Sequence, residues 1–175
     1  MFSSCSENLS QKNNNANDGV TDVASVNKSE ADVVSESIKL DSLNADLYVQ
    51  RARINLTDEK ISLAIRDINS ALSLDRKNID ALLVLADIYY ALGDEDNILL
   101  TLNKACEYAP LDTRPIIKLS ELSFLQGNFR MAGAYVDKAL EMDKYNPKAY
   151  YMRGMLAMSE NDTVAALKNF MTSRM

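Results

Sequence analysis

The 175-residue chain is predicted to be all-α, a stack of antiparallel helix pairs behind a disordered polar N-terminal tail. Three observations carry that prediction. A 34-residue period runs without insertion from Ala45, small residues recur at fixed places within it, and a Gly- or Asn-containing break falls near the middle of each unit. Residues 45–78, 79–112 and 113–146 are full units, and 147–175 is an incomplete fourth.

The small sites come first because they set the packing. The eighth position of the units carries Ala52, Ala86, Ser120 and Gly154; the twentieth carries Ala64, Ile98, Ala132 and Ala166; the twenty-seventh carries Ala71, Ala105, Ala139 and Ser173. Ile98 is the exception. Between these lie larger apolar residues, among them Tyr48, Leu82, Ile116 and Tyr150, then Ile68, Leu102, Val136 and Phe170. Helical spacing on either side of a central break describes two antiparallel helices per unit. Gly93-Asp94, Gly127-Asn128 and Asn161-Asp162 mark the breaks, and Pro110 and Pro147 stop or start helices between units. In the third unit Gly127 ends the first helix and Asn128 caps the second. Ala132 and Ala139 stay small because the paired helices must approach closely, and overfilling such a site costs about 1–3 kcal/mol.

Upstream, residues 29–44 read as a short helix and a join. Ser29 is a natural N-cap, Glu30 and Asp32 place acid in the first turn, and Val33, Val34, Ile38 and Leu40 form one side. Residues 1–28 are rich in Ser and Asn and hold too little apolar surface to order themselves. Two readings of Cys5 stand side by side. Ser3-Ser4-Cys5 resembles the lipobox at the end of a bacterial lipoprotein signal peptide, which makes Cys5 a lipidation site and the tail a membrane tether; alternatively Cys5 is an incidental residue of a solvated tail.

Composition narrows the function. Net charge is −6, so nucleic acid and anionic surfaces are repelled on average. There is no histidine, which removes His-ligated metal sites and His-based acid–base chemistry. The two cysteines, Cys5 and Cys106, make no disulfide framework, and no stretch reaches the roughly 20 apolar residues of a membrane span. The expectation is no enzyme, no metal and no cofactor.

The constant period and its small-large-small order resemble the tetratricopeptide repeat family over about three quarters of the chain. That resemblance implies a right-handed α-solenoid whose first helices line a concave groove, with single hairpins stabilised by their stacked neighbours. The residues it places in the groove include Arg53 from the first unit, Asp87 and Tyr90 from the second, Arg114, Lys118, Glu121 and Phe124 from the third, and Tyr151 from the fourth. Tyr90, Phe124 and Tyr151 are the candidate anchors for a peptide or helix. Val49, Leu83, Ile117 and Met155 share the same rows and read first as packing between neighbouring helices. Arg53, Arg114 and Lys118 offer charge for a carboxylate. The carboxylate clamp of some co-chaperones in the family is not matched, because Val49, Arg53 and Val84 stand where it needs Lys, Asn and Asn.

The implied function is a scaffold that binds a protein partner in the groove, tethered to a bacterial envelope if Cys5 is lipidated. The alternative is a cytoplasmic co-chaperone-like adaptor. The incomplete fourth unit, with Met152, Met155, Met158, Met171 and Met175, is expected to be covered by further repeats or by self-association.

Overall fold

The computed structural model describes residues 28–174, so the two readings of Cys5 and nearly all of the predicted tail lie outside the described residues. Within them the chain is entirely helical between turns: α1 (Glu30–Leu40), α2 (Ala45–Thr57), α3 (Ile61–Leu74), α4 (Ile79–Leu92), α5 (Glu95–Tyr108), α6 (Thr113–Leu125), α7 (Phe129–Met142), α8 (Pro147–Ser159) and α9 (Thr163–Thr172). None is long and apolar enough to cross a membrane.

Local chemistry sets the helix ends. Ser29 forms a capping box with Asp32 at α1, and Asn78, Asp94, Asn128, Asn146 and Asp162 each accept a backbone N–H two or three residues into the next helix. The breaks inside the units need a left-handed residue. Gly93 (φ 70°) and Gly127 (φ 74°) supply it in two units, and Glu59 (φ 59°) and Asn161 (φ 63°) adopt it in the other two.

The helices pair as α2/α3, α4/α5, α6/α7 and α8/α9, and each pair stacks on the next. The small residues lie at the closest contacts: Ala52, Ala64, Ala71, Ala105, Ala132 and Ala139 are fully buried. Ser120, also buried, donates its hydroxyl to the Ala132 carbonyl at 2.9 Å, so a polar group tolerates the close approach only by crossing it. At Gly154 a Cβ would lie 2.5 Å from Cε1 of Phe170. Around these contacts the larger side chains fill the core, with Val49, Ile68, Val84 and Ile88 joining α2, α3 and α4. Ile116, Ile117, Val136 and Met152 do the same for α6, α7 and α8.

The first helix has a larger part than a short leader. It packs against α2 much as α3 packs against α4, taking the place of the second helix of a preceding unit. Val34 and Ser37 precede Ile68 and Ala71 by one period, and Val34 and Ile38 are buried. A polar lock fixes this end. Arg51 of α2 donates to Asp67 of α3 through Nε (3.0 Å) and Nη2 (2.6 Å), and through Nη1 to Ser35 of α1 (3.0 Å). Asn55 completes it by donating to Asp67 Oδ2 at 3.0 Å. At the other end α9 leaves Val164, Leu167 and Met171 exposed on its outer side.

Candidate functional site

The first helices of the units, α2, α4, α6 and α8, form one layer. α2 lies against α4 and α6 against α8, whereas α4 and α6 approach each other less closely. A cavity of about 380 Å³ opens beside that wider gap. Asp87 and Tyr90 enter it from α4, Lys118, Glu121 and Phe124 from α6, and Tyr151 and Met155 from α8. Ile98 and Leu102 of α5 and Leu122 of α6 form part of its wall. Ile98 is the large exception among the small positions.

The aromatic residues differ in freedom. Tyr90 is 58% exposed and Tyr151 51%, so both present ring faces to solvent at the cavity mouth. Phe124 is half-buried, its ring tilted against Phe129 at 5.2 Å between centroids. Tyr151 similarly leans on Phe170 at 5.6 Å. Such partly supported rings lose little freedom when a ligand covers them.

The cations read as carboxylate holders are already engaged within the molecule. Arg53 bonds Asp80 at 3.0 Å, Arg114 reaches the same carboxylate at 2.8 Å and Asp112 at 2.7 Å, and Lys118 pairs with Asp87. These pairs step from unit to unit along the groove. Hydrogen bonding to Asp112, reinforced by the charge of Asp80, raises the Arg114 pKa above the ordinary guanidinium value despite some burial. Burial works to raise the Asp112 pKa, but hydrogen bonds from the Arg114 side chain and backbone outweigh it and leave the carboxyl below its usual range. Glu121 has no ion-pair partner among the described residues.

Of the residues read from sequence, Asp87, Tyr90, Lys118, Glu121, Phe124 and Tyr151 therefore converge on one cavity, and Arg53 and Arg114 lie outside its wall. Val49, Leu83, Val84 and Ile117 are buried between helices. Ile98, Leu102, Leu122 and Leu125 also line the cavity and were not singled out; only the break in the small-residue rule at Ile98 signalled it.

A family model described as tetratricopeptide repeat matches residues 79–110, the second helix pair. The solved structure of TTC0263, a thermophilic tetratricopeptide repeat protein of Thermus thermophilus, superposes with a TM-score of 0.73 over 82% of this chain and 79% of that one, at 17% identity. Residues 79–110 of the chain are a tetratricopeptide repeat. The described helices form the right-handed solenoid of that family, as they also superpose on the crystal structure of the APC/C hetero-tetramer Cut9–Hcn1 (TM-score 0.71, 18% identity, 81% of this chain, 27% of that chain). Tetratricopeptide repeat protein 16 of Homo sapiens is 32% identical over an alignment of 93 residues, and the match covers 46% of this chain and 11% of that protein. The repeats thus span only a small part of that relative.

Proposed function

We propose that this tetratricopeptide repeat protein is a non-catalytic scaffold that binds a peptide or helix of a protein partner in its concave groove. One observation carries the reading: the cavity of about 380 Å³ mouthed by Tyr90 and Tyr151 and backed by Phe124, Leu122 and Met155. An apolar side chain of the partner fills it, and the aromatic faces supply contact area at low entropic cost. The ion pairs Arg53–Asp80, Arg114–Asp80 and Lys118–Asp87 hold the groove's shape and leave little net charge for a terminal carboxylate. Partners held by shape and apolar contact fit better than an acidic tail.

The test is Tyr90→Ala with Tyr151→Ala, both exposed, in affinity capture from the native cell with mass spectrometry. Selective loss of a partner retained by wild type supports the reading. Equal recovery by both proteins removes the groove.

The lipid tether at Cys5 belongs to the same proposal and rests on Ser3-Ser4-Cys5 alone. Radiolabelled lipid carried by the full-length protein and lost in Cys5→Ser supports an envelope scaffold; no label in either favours the cytoplasmic adaptor. Self-association through the fourth unit has its support in the exposed Val164, Leu167 and Met171. Sedimentation velocity showing a monomer at all concentrations would dismiss it.

A further inference from the structure

The cavity in the groove opens toward one end of the helices. Tyr90 lies two residues before the end of α4, and Phe124 and Leu125 close α6. From its mouth the apolar surface continues onto the edge of the solenoid where the breaks inside the units fall. Leu125 is 63% exposed and Leu92 53%, and Phe129, the first residue of α7, is exposed with its ring against Phe124. Met158 of α8 lies about one turn beyond the cavity-lining Met155, exposed on the same side of the helix. An exposed apolar surface continuous with a cavity has the form of a docking site for a partner segment.

The charge around the mouth selects the kind of segment. The breaks carry Asp58, Glu59, Asp94, Glu95, Asp96, Glu160 and Asp162, and the cations set among them are Lys60 and Arg130. The start of α1, at the same edge, adds Glu30 and Asp32 against Lys28. Lys60 is taken by Asp58 at 2.8 Å. Glu95 accepts from the Gln126 amide at 2.9 Å, a neutral donor that leaves its charge uncompensated. Glu59, Asp96 and Glu160 are exposed and in no ion pair among the described residues, and Arg130 and Lys28 offset only part of this excess. Inside the cavity Lys118 pairs with Asp87 while Glu121 stays unpaired, with Lys148 in the shallow hollow beyond Tyr151. The joins at the opposite edge hold no such excess, since Asp41, Asp75 and Asp143 stand beside Arg76, Lys77 and Lys144. Negative potential therefore gathers on the edge onto which the cavity opens.

We propose that the segment bound here is basic and amphipathic, with apolar side chains in the cavity and on Leu92, Leu125 and Phe129, and flanking Lys or Arg residues against Glu95, Asp96 and Glu160. The proposal rests on the groove reading and adds the partner's charge to it. Lys and Arg suit this rim because their stems cover apolar surface while their heads reach the carboxylates. The exposed rings of Tyr90 and Tyr151 offer such a cation their faces as well. An acidic segment with the same apolar residues meets like charge around the mouth. Rim charge of this kind sets association rate and partner choice more than total affinity.

The probes are fluorescently labelled helical peptides of about 18 residues, about five turns, with leucine along one face and lysine elsewhere, and the same design with glutamine or glutamate in place of lysine. Anisotropy against the full chain is expected to show the lysine peptide binding about tenfold more tightly than the glutamine one, the difference shrinking with added salt, and the glutamate peptide binding weakest. Glu95→Gln, Asp96→Asn and Glu160→Gln together should weaken the lysine peptide about fivefold and leave the glutamine peptide unchanged. If that variant loses structure by circular dichroism, the peptide series and its salt dependence on wild type still decide. A peptide of the same composition with leucine and lysine scrambled should bind about tenfold less tightly; equal binding reduces the edge to unspecific attraction and overturns the proposal. So does no binding of the lysine peptide. Equal affinity for all three charge forms, lost in Tyr90→Ala with Tyr151→Ala, overturns the proposal and leaves the groove standing. Lysine-peptide binding that survives the tyrosine variant removes the groove reading and this proposal with it.

Discussion

Replacing Asp67 by alanine tests the polar lock at the N-terminal end. Asp67 is buried and accepts three hydrogen bonds, two from Arg51 and one from Asn55. Removing it leaves a buried amide and a partly buried guanidinium without their shared partner. Breaking a buried pair from one side costs about 3–5 kcal/mol, and the solvent reaching Arg51 places this case at the lower end, about 3 kcal/mol. For an array of this size that is a fall in Tm of about 6–12 °C. Solenoids unfold by neighbouring units rather than all at once, so the loss is expected first as faster amide exchange in α1, α2 and α3, with α8 and α9 little changed. Urea unfolding followed by circular dichroism, with hydrogen exchange, reads both. The double variant Arg51→Met, Asp67→Leu should recover to within about 1 kcal/mol of wild type, because an apolar pair leaves no charge stranded. A cost under about 1 kcal/mol for Asp67→Ala, or exchange that rises evenly over all helices, would refute the reasoning.

Two glycines should respond in opposite directions. At Gly133 an added Cβ meets nothing nearer than Leu156 Cδ1 at 3.9 Å, so Gly133→Ala should stabilise by about 0.5–1 kcal/mol through the helix propensity gained. Gly154→Ala forces the Phe170 ring aside and should destabilise by about 1 kcal/mol despite the same gain, both read as shifts in thermal midpoint. Asp112 has a folded pKa below its ordinary value of 3.8, so the stability it contributes is complete above that value and lost as pH falls through the lower folded one. Asp112→Asn should therefore lose less of its thermal midpoint than wild type between about pH 5 and about pH 2.5. Burial raises the Cys106 pKa, so in the Cys5→Ser chain iodoacetamide should label it more slowly at pH 8 than it labels free cysteine.

The helix pairs were legible because their signals are local or periodic. Gly93, Gly127 and Asn128 mark turns through φ and capping, and Ala64, Ala105 and Ala139 mark close contacts through their recurrence. The groove positions of the aromatics came from the family resemblance, and the structure sets Tyr90, Phe124 and Tyr151 around one cavity. Their surroundings were not legible. The engagement of Arg53 and Arg114 by Asp80 depends on how one unit sits on the next, and an exposed-charge pattern looks the same whether or not a carboxylate waits 34 residues away. The place of α1 in the stack was hidden because Glu30 breaks the small-residue pattern there, even though Val34 and Ser37 keep the register.

Sequence by itself determined that the chain is a stack of antiparallel helix pairs, because the spacing of small and large residues dictates where helices pair and how near they come. Tertiary structure decided where between the helices a cavity opens, which charges are already matched, and which tips stand bare along an edge. Those depend on the angle and gap between α4 and α6 and on side chains meeting across units, and no local pattern of residues encodes such distances.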